Sequence, residues 1–203
     1  MTCHPASRSR RRALRTLAQS AALTPLVAAW PPLARAQTLP PTPSCGASES
    51  PTASQTEGPY YKRSTPLRSS LIEPGVTGDR LVLSGFVLTT DCKPVPGAVL
   101  DFWHADAKGN YDNEGFRLRG HVLADAQGRY RLETIVPGLY PGRTRHIHVK
   151  VQPSGGRVLT TQLYFPDDAG NQRDGLYAPA LQMSLTRGGE AAQGSFNFVL
   201  RRA

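Results

Sequence analysis

The sequence predicts an all-β protein, a β-sandwich of about seven to nine short strands joined by long loops. Three observations favour this fold. Short runs rich in β-branched and aromatic residues recur along residues 80–201. Groups of Gly, Pro, Asp and Asn separate these runs and are typical of turns. No stretch has the 3.6-residue apolar period of an amphipathic helix. The pattern therefore indicates two packed sheets.

The predicted strands occupy residues 80–89, 98–103, 120–124, 130–135, 146–151, 158–164 and 195–201. Within this scaffold Trp103 is expected to be a buried packing residue. Residues 167–180 are rich in polar and turn-forming groups and are predicted to form a long loop. Its aspartates, Asp167, Asp168 and Asp174, are expected to be solvated.

The first 36 residues have the order of an export signal. A twin-arginine motif at residues 9–15 precedes a weakly apolar region at 16–33, and Ala34-Arg35-Ala36 resembles a cleavage site. The apolar region contains three prolines and makes a poor membrane span, so no stable membrane anchor is expected. A lipid anchor or a disordered basic tail is the alternative. We predict a twin-arginine signal peptide at 1–36, recognised by the Tat export machinery, and a periplasmic or secreted protein cleaved after Ala36.

A flexible arm is predicted at residues 37–56, which are rich in Pro, Thr, Ser and Ala and lack apolar periodicity. The sandwich domain is predicted at 57–203. In an oxidising compartment Cys45 and Cys92 are expected to form a disulfide, with two unpaired thiols as the alternative.

The net charge argues against a nucleic-acid partner. The whole chain carries a formal charge of +9, but residues 1–36 hold six of its 24 Lys and Arg and none of its 15 Asp and Glu. The remaining chain has 18 basic residues against 15 acidic ones, a charge of +3. The basic excess belongs mostly to the predicted signal, so no nucleic-acid binding is expected.

A pair of histidines suggests a metal site. His146 and His148 alternate in a strand-like run, so their side chains point to the same face and can bind one metal ion. Tyr140 and Tyr111 precede them. A phenol binds a metal after losing a proton whose ordinary pKa is about 10, which a strongly Lewis-acidic ion such as ferric iron favours. The pattern predicts an Fe(III) site and an oxygen-handling enzyme.

Each of these residues also has a structural interpretation. The histidines of a single His-x-His pair more often have ordinary hydrogen-bond partners in the core or on the surface. Tyrosines more often pack with the hydroxyl at the edge of the core. Arg143 could be a surface charge and Gln162 could satisfy a strand edge. A zinc or copper site using His146, His148 and another histidine is a further alternative, although it leaves the tyrosines unexplained. A non-catalytic exported β-sandwich binding module is the alternative from a different functional class.

Longer motifs, taken together, resemble the intradiol ring-cleavage dioxygenases, the family of catechol and protocatechuate dioxygenases. The resemblance spans roughly residues 54–168. The motifs, in the family's order, are TEGPYY at 56–61, PGAVLDFWHADAKGNY at 96–111, FRLRG at 116–120, DAQG at 125–128, TIVPGLY at 134–140, HIH at 146–148 and TQLYFP at 161–166.

The resemblance implies a non-haem Fe(III) cofactor and a reaction. The implied metal ligands are Tyr111, Tyr140, His146 and His148. A catechol-type substrate and O2 would give a cis,cis-muconate-type diacid by cleavage between the two hydroxyl-bearing carbons. By this resemblance Tyr140 is also the ligand that leaves the metal and helps to deprotonate the substrate.

The resemblance also implies roles beyond the ligands. Arg143 matches an active-site arginine that can stabilise negative charge, and Gln162 matches a glutamine at the same wall. Gly58, Pro59 and Tyr60 match the arm segment that covers the substrate pocket.

The chain departs from the family's familiar members in two respects. Only five residues separate Tyr140 from His146, where those enzymes have a longer insertion, and a helical N-terminal dimerisation region is lacking. We expect a more open pocket that accepts larger or polymer-derived catechols. A homodimer and a monomer both stay open.

Overall fold

The computed structural model of the protein describes residues 50–201, whose regular structure is almost entirely β-strand. The strands are β1 Arg80–Thr89, β2 Val99–Trp103, β3 Arg119–Leu123, β4 Arg129–Ile135, β5 His146–Gln152, β6 Leu159–Tyr164, β7 Ser184–Thr186, β8 Ala192–Ser195 and β9 Phe198–Leu200. Two short 3-10 helices, Asn171–Arg173 and Pro179–Leu181, lie between β6 and β7. These nine strands confirm the predicted all-β class.

The strands form two sheets. The four-stranded sheet has the order β3-β2-β5-β6, and all of its neighbours are antiparallel. The five-stranded sheet has the order β4-β1-β8-β7, with β9 also paired to β1. There β8 and β9 run parallel to β1. The two sheets pack face to face as a sandwich.

The core lies between the sheets and follows the two-residue alternation of each strand. Leu81 and Leu83 of β1 face Phe102 of β2 and Val149 of β5, and all four are essentially fully buried. Burial of each such side chain contributes roughly 1.5–3 kcal/mol to folding. Trp103, predicted to be buried, is 1% exposed; its ring lies on the outer side of the four-stranded sheet, against His148.

One segment covers an exposed edge of each sheet. The backbone N–H of Arg68 donates to His121 of β3 at 3.0 Å, and the N–H of Leu71 donates to Glu133 of β4 at 2.8 Å. Leu71 is fully buried in the core. Residues 66–71 therefore join the two sheets at one side and satisfy edge groups that would otherwise be free.

The predicted strand at 195–201 is wrong in one respect, because the structure divides it into β8 and β9. The chain bends at Phe196 and Asn197, where the Asn197 side chain, instead of a backbone carbonyl, accepts the N–H of Phe86 at 3.0 Å. Strand β7 has three residues, too few to show an alternating pattern, and was not predicted.

The predicted arm is described only from residue 50 onward. In that part the N–H of Thr52 donates to Val199 at 2.9 Å and the N–H of Gln55 donates to Thr160 at 2.8 Å. Residues 50–56 are thus bound to β9 and β6, unlike the flexible segment expected over 37–56. No helix within residues 50–201 is long and apolar enough to cross a membrane.

Cys92 is disulfide-bonded. Its predicted partner, Cys45, lies outside the described residues, as does the predicted signal peptide, so these predictions stay untested.

Candidate active site

The candidate site lies on the outer face of the four-stranded sheet. Four outward side chains form one cross-strand row, since Arg119 pairs with Trp103, Trp103 with His148, and His148 with Gln162. All four are 3% exposed or less. An outer face of this kind is normally wet, so a second layer of chain must cover it. That layer is the arm at 56–66 together with the loops that carry Tyr111 and Tyr140.

The two predicted histidine ligands point into the same space. The Nε2 atoms of His146 and His148 lie 3.1 Å apart. The Nδ1 of His146 lies 2.7 Å from the carbonyl of Thr144. A carbonyl only accepts, so Nδ1 carries the proton and Nε2 presents its lone pair to the site. The imidazole of His148 stacks on Trp103 with 4.9 Å between ring centroids, which fixes its plane.

Burial keeps both imidazoles neutral. It lowers the pKa of His146 to about 4, and it lowers the pKa of His148 well below its ordinary value, helped by the neighbouring His146 and Arg143. Neutral imidazoles are the form that binds a metal.

The predicted tyrosines complete the cluster. The hydroxyl of Tyr111 lies 3.4 Å from Nε2 of His146. The rings of Tyr111 and Tyr140 are 5.9 Å apart and nearly perpendicular. Burial raises the pKa of Tyr111, and the charges of Arg143 and Arg119 act in the opposite direction. A phenol in this position is protonated at neutral pH unless a strong cation replaces its proton.

A close backbone contact brings the two tyrosine loops together. Gly109 has a φ of +87°, and a Cβ at this position would lie 2.0 Å from the carbonyl oxygen of Leu139. Only glycine fits both the conformation and the contact. The turn before Tyr111 therefore packs directly on the segment before Tyr140.

The predicted arm residues cover the cluster. Gly58, at a φ of +71°, passes over His148 so closely that a Cβ would lie 3.3 Å from its ring. The ring of Tyr60 stacks on Tyr111 at 4.3 Å, and its hydroxyl lies 2.9 Å from that of Tyr140. The hydrogen bond to Tyr140 raises the pKa of Tyr60. Pro59 lies between them at the exposed surface of the arm.

Arg143 is held in a fixed orientation at the wall of the site. Its Nε donates to Asp174 at 2.9 Å and its Nη2 donates to the side-chain oxygen of Gln162 at 2.7 Å. Gln162 in turn donates to the carbonyl of Thr56 in the arm at 2.9 Å. The structure therefore places Arg143 and Gln162 in one network that reaches the arm.

The expectation of a solvated acidic loop is wrong for two of its three aspartates. Asp168 and Asp174 are buried and form ion pairs with Arg145 and Arg143, at 3.0 and 2.9 Å. Burial alone would raise the pKa of Asp174, but hydrogen bonds from Leu176, Thr144 and Arg143 lower it overall. Asp167 is exposed, as predicted.

The donor set distinguishes between the metals considered. Within residues 50–201, no group of three or more His, Cys, Asp or Glu side chains is placed to hold a metal. A zinc or copper site with a third histidine therefore has no support there. Two imidazoles with two phenols suit a hard, strongly Lewis-acidic cation instead.

Two phenols, two imidazoles and a fixed guanidinium thus meet at the outer face of one sheet of a β-sandwich. The family model described as Dioxygenase matches residues 56–202. The chain belongs to the intradiol ring-cleavage dioxygenases, and the expectation of an enzyme is confirmed over that of a non-catalytic binding module.

Relatives agree with this assignment. A chlorocatechol 1,2-dioxygenase of Pseudomonas sp. strain P51 is 31% identical over 174 residues, which cover 72% of this chain and 69% of that protein. A catechol 1,2-dioxygenase of Acinetobacter baylyi is 30% identical, but the match spans only 60% of this chain and 49% of that enzyme.

Solved structures show the same fold. The dioxygenase domain of a dioxygenase carbohydrate-binding fusion protein from Streptomyces sp. SirexAA-E is 52% identical, with a TM-score of 0.74. The alignment covers 76% of this chain and all of that one. The 3-chlorocatechol 1,2-dioxygenase of Rhodococcus opacus 1CP is 28% identical with a TM-score of 0.69, covering 75% and 73% of the two chains.

Proposed function

We propose that this protein is a non-haem Fe(III)-dependent intradiol dioxygenase. It would cleave a catechol-type ring between its hydroxyl-bearing carbons with O2, giving a cis,cis-muconate-type diacid. One observation supports the proposal most directly: Nε2 of His146 lies 3.4 Å from the Tyr111 hydroxyl and 3.1 Å from Nε2 of His148.

The four side chains proposed to hold the iron are Tyr111, Tyr140, His146 and His148. When bound, ferric iron would supply the Lewis acidity that deprotonates the phenols and activates the catechol ring toward O2. The two neutral imidazoles add no charge, so two phenolates offset most of the charge of the cation. The Thr144 carbonyl fixes the tautomer of His146 and Trp103 fixes the ring plane of His148, so little reorganisation is needed on binding.

The hydroxyl pair of Tyr60 and Tyr140 is suited to moving a proton. A catechol must lose its hydroxyl protons to bind as a dianion. The Tyr140 oxygen can accept one of them, and the Tyr60 hydroxyl, 2.9 Å away, can donate to Tyr140 while it is an anion and stay bonded when it becomes neutral.

Arg143 supplies a positive charge at the wall that the substrate ring would face. Because Asp174 and Gln162 fix two of its nitrogens, the guanidinium is already oriented before substrate arrives. A preorganised charge of this kind stabilises negative charge that develops on the ring during attack by O2. On the arm side, Gly58 lies over His148 and Tyr60 lies over Tyr111.

The cavity beside the site supports an open pocket. It has a volume of about 630 Å3 and is lined by Leu139 to Arg145 and by parts of 167–174. No insertion between Tyr140 and His146 fills it. We propose that it accommodates the substituent of a bulky catechol.

The test is to add ferric iron to purified protein and to record its visible spectrum, oxygen uptake and products. A tyrosinate-to-iron charge-transfer band, uptake of O2 with a catechol, and both atoms of 18O2 in a diacid are expected. Tyr140→Phe should abolish the colour change on catechol addition, whereas Tyr177→Phe, a tyrosine away from the ligands, should keep it. Colourless protein after iron addition would contradict the proposal, and a marked preference for free catechol would contradict the bulky-substrate part.

We further propose that residues 1–36 direct export through the Tat machinery and that Cys45 pairs with Cys92. Cell fractionation of the full chain and of an Arg11→Lys, Arg12→Lys variant tests the first part, since the variant should stay in the cytoplasm. Peptide mapping without reduction tests the second, because a Cys45–Cys92 cross-linked peptide is expected.

A further inference from the structure

Arg119 is a buried charge to which the proposed chemistry assigns no role. It lies in the Phe116–Gly120 motif and its side chain is 1% exposed. It forms no ion pair with any carboxylate of residues 50–201. An unpaired guanidinium is costly to bury, so its hydrogen bonds must compensate for the lost water.

The hydrogen bonds of Arg119 go to two separate segments. Its Nε and Nη2 donate to the carbonyl of Asp112, at 3.1 and 2.9 Å. Its Nη1 donates to the carbonyl of Tyr60. One side chain therefore joins the residue after Tyr111 to the part of the arm that covers the site.

The aromatic contacts lie directly beside this link. The rings of Tyr60 and Tyr111 stack at 4.3 Å with 10° between their planes, and the guanidinium carbon of Arg119 lies 6.0 Å from the centre of the Tyr111 ring. The planar guanidinium donates to carbonyls of two separate segments at once, and a lysine ammonium on a flexible stem does not present its donors in this fixed geometry.

We propose that Arg119 is a positioning residue that fixes the Tyr60–Tyr111 stack. The placement of one proposed iron ligand and the closure of the arm over the substrate then depend on the same side chain. This inference rests on the proposed function through the roles of Tyr60 and Tyr111.

The first test needs no metal. Hydrogen exchange is compared among wild type, Arg119→Met, Arg119→Lys and the control Arg117→Met. Arg117 is an exposed residue of the same turn whose charge pairs with Glu73 at 3.7 Å. In both Arg119 variants, peptides covering 56–62 and 111–115 should exchange at least about tenfold faster, because charged hydrogen bonds are lost. Peptides of β1 and β5 should keep the wild-type rate, and R117M should match wild type throughout.

The second test adds ferric iron and then a catechol. Both Arg119 variants should shift the charge-transfer band and raise KM by about tenfold or more, with a smaller fall in kcat, because on the proposed function the arm would contact the substrate. Wild type that fails to bind iron would contradict the proposed function and leave the exchange result standing.

Several outcomes would overturn the inference. One is equal exchange at the arm in R119M and R117M; another is a wild-type band and KM in both Arg119 variants. If R119M does not fold, R119K decides by the same comparisons. Loss of cooperative unfolding in both would also overturn it, since Arg119 would then support the whole sandwich.

Discussion

The two sheets share a core, but their outer faces differ. On the five-stranded sheet the outward residues of β4 alternate with buried ones, and Arg131 and Glu133 form an ion pair with side chains about 40% exposed. On the four-stranded sheet the outward His146 and His148 are buried, like the inward Ile147 between them. The difference is the second layer supplied by the arm and the tyrosine loops. The four-stranded sheet is covered on both faces and can therefore hold a polar site from which water is excluded. The five-stranded sheet has an exposed outer face and offers no such site.

The strongest test of this contrast compares outward residues of the two sheets. His148→Ala should lose the ferric charge-transfer band and reduce kcat/KM by more than about 100-fold, because even outer partners of metal ligands cost 10–100-fold. Glu133→Ala should change the free energy of unfolding by no more than about 0.5 kcal/mol and leave activity intact. Spectra, kinetics and urea unfolding measure these effects. Equal losses in both variants would remove the distinction between the faces.

A second test concerns the loop between β6 and β7. Asp174→Asn removes the charge that orients Arg143 but keeps the shape of the side chain. It should reduce kcat/KM by about 10–100-fold, mainly through kcat, since the guanidinium would no longer be fixed. Asp167→Asn, an exposed change in the same loop, is the control and should have no effect. A normal kcat in the Asp174 variant would show that Arg143 needs no anchor.

The third test concerns the contact between the two sheets and is read in stability instead of activity. His104 follows β2, is 1% exposed, and contacts Thr134 of β4 at 2.7 Å. Burial lowers its pKa to about 4 from an ordinary 6.5. Between these values the unfolded chain binds a proton that the folded chain excludes. Stability is therefore complete above pH 6.5 and declines as the pH falls toward 4.

For one such proton the free energy of unfolding changes by about 1.4 kcal/mol per pH unit. Urea unfolding of the metal-free protein from pH 7 to pH 4 measures it. Lowered pKa values give His146 and His148 slopes of the same sign. His104→Gln should reduce the total slope by about 1.4 kcal/mol per pH unit, the contribution of one proton, and should leave the contributions of His146 and His148 unchanged. Identical slopes in wild type and variant would mean that folding does not lower the pKa of His104.

Much of the scaffold could be predicted from local sequence. β1 has the predicted bounds and β2 to β6 begin and end within one residue of them, because alternation of apolar residues marks where each strand is paired. The division between β8 and β9 was missed because Asn197 replaces a backbone acceptor with its side chain, which leaves no mark on the apolar pattern.

The site was predictable in part. The common face of His146 and His148 follows from strand geometry. Tyr111 and Tyr140 were included because phenolates suit ferric iron, but only the resemblance implied that they are ligands. Asp174 and Arg119 were missed because each owes its burial to a segment about 30 to 60 residues away, to Arg143 in one case and to Tyr60 in the other. Because both side chains are charged, the local sequence alone predicts that they are exposed to solvent.

The pairing of β1 with β8 and β9 has a consequence for how the protein is made. Val82 pairs with Gln193 and Leu88 with Val199. Strand β1 therefore pairs with strands that lie more than 100 residues later in the chain. Contacts of such long range are slow to form, and folding in milliseconds to seconds is expected. During synthesis the five-stranded sheet stays incomplete until residue 200 has left the ribosome.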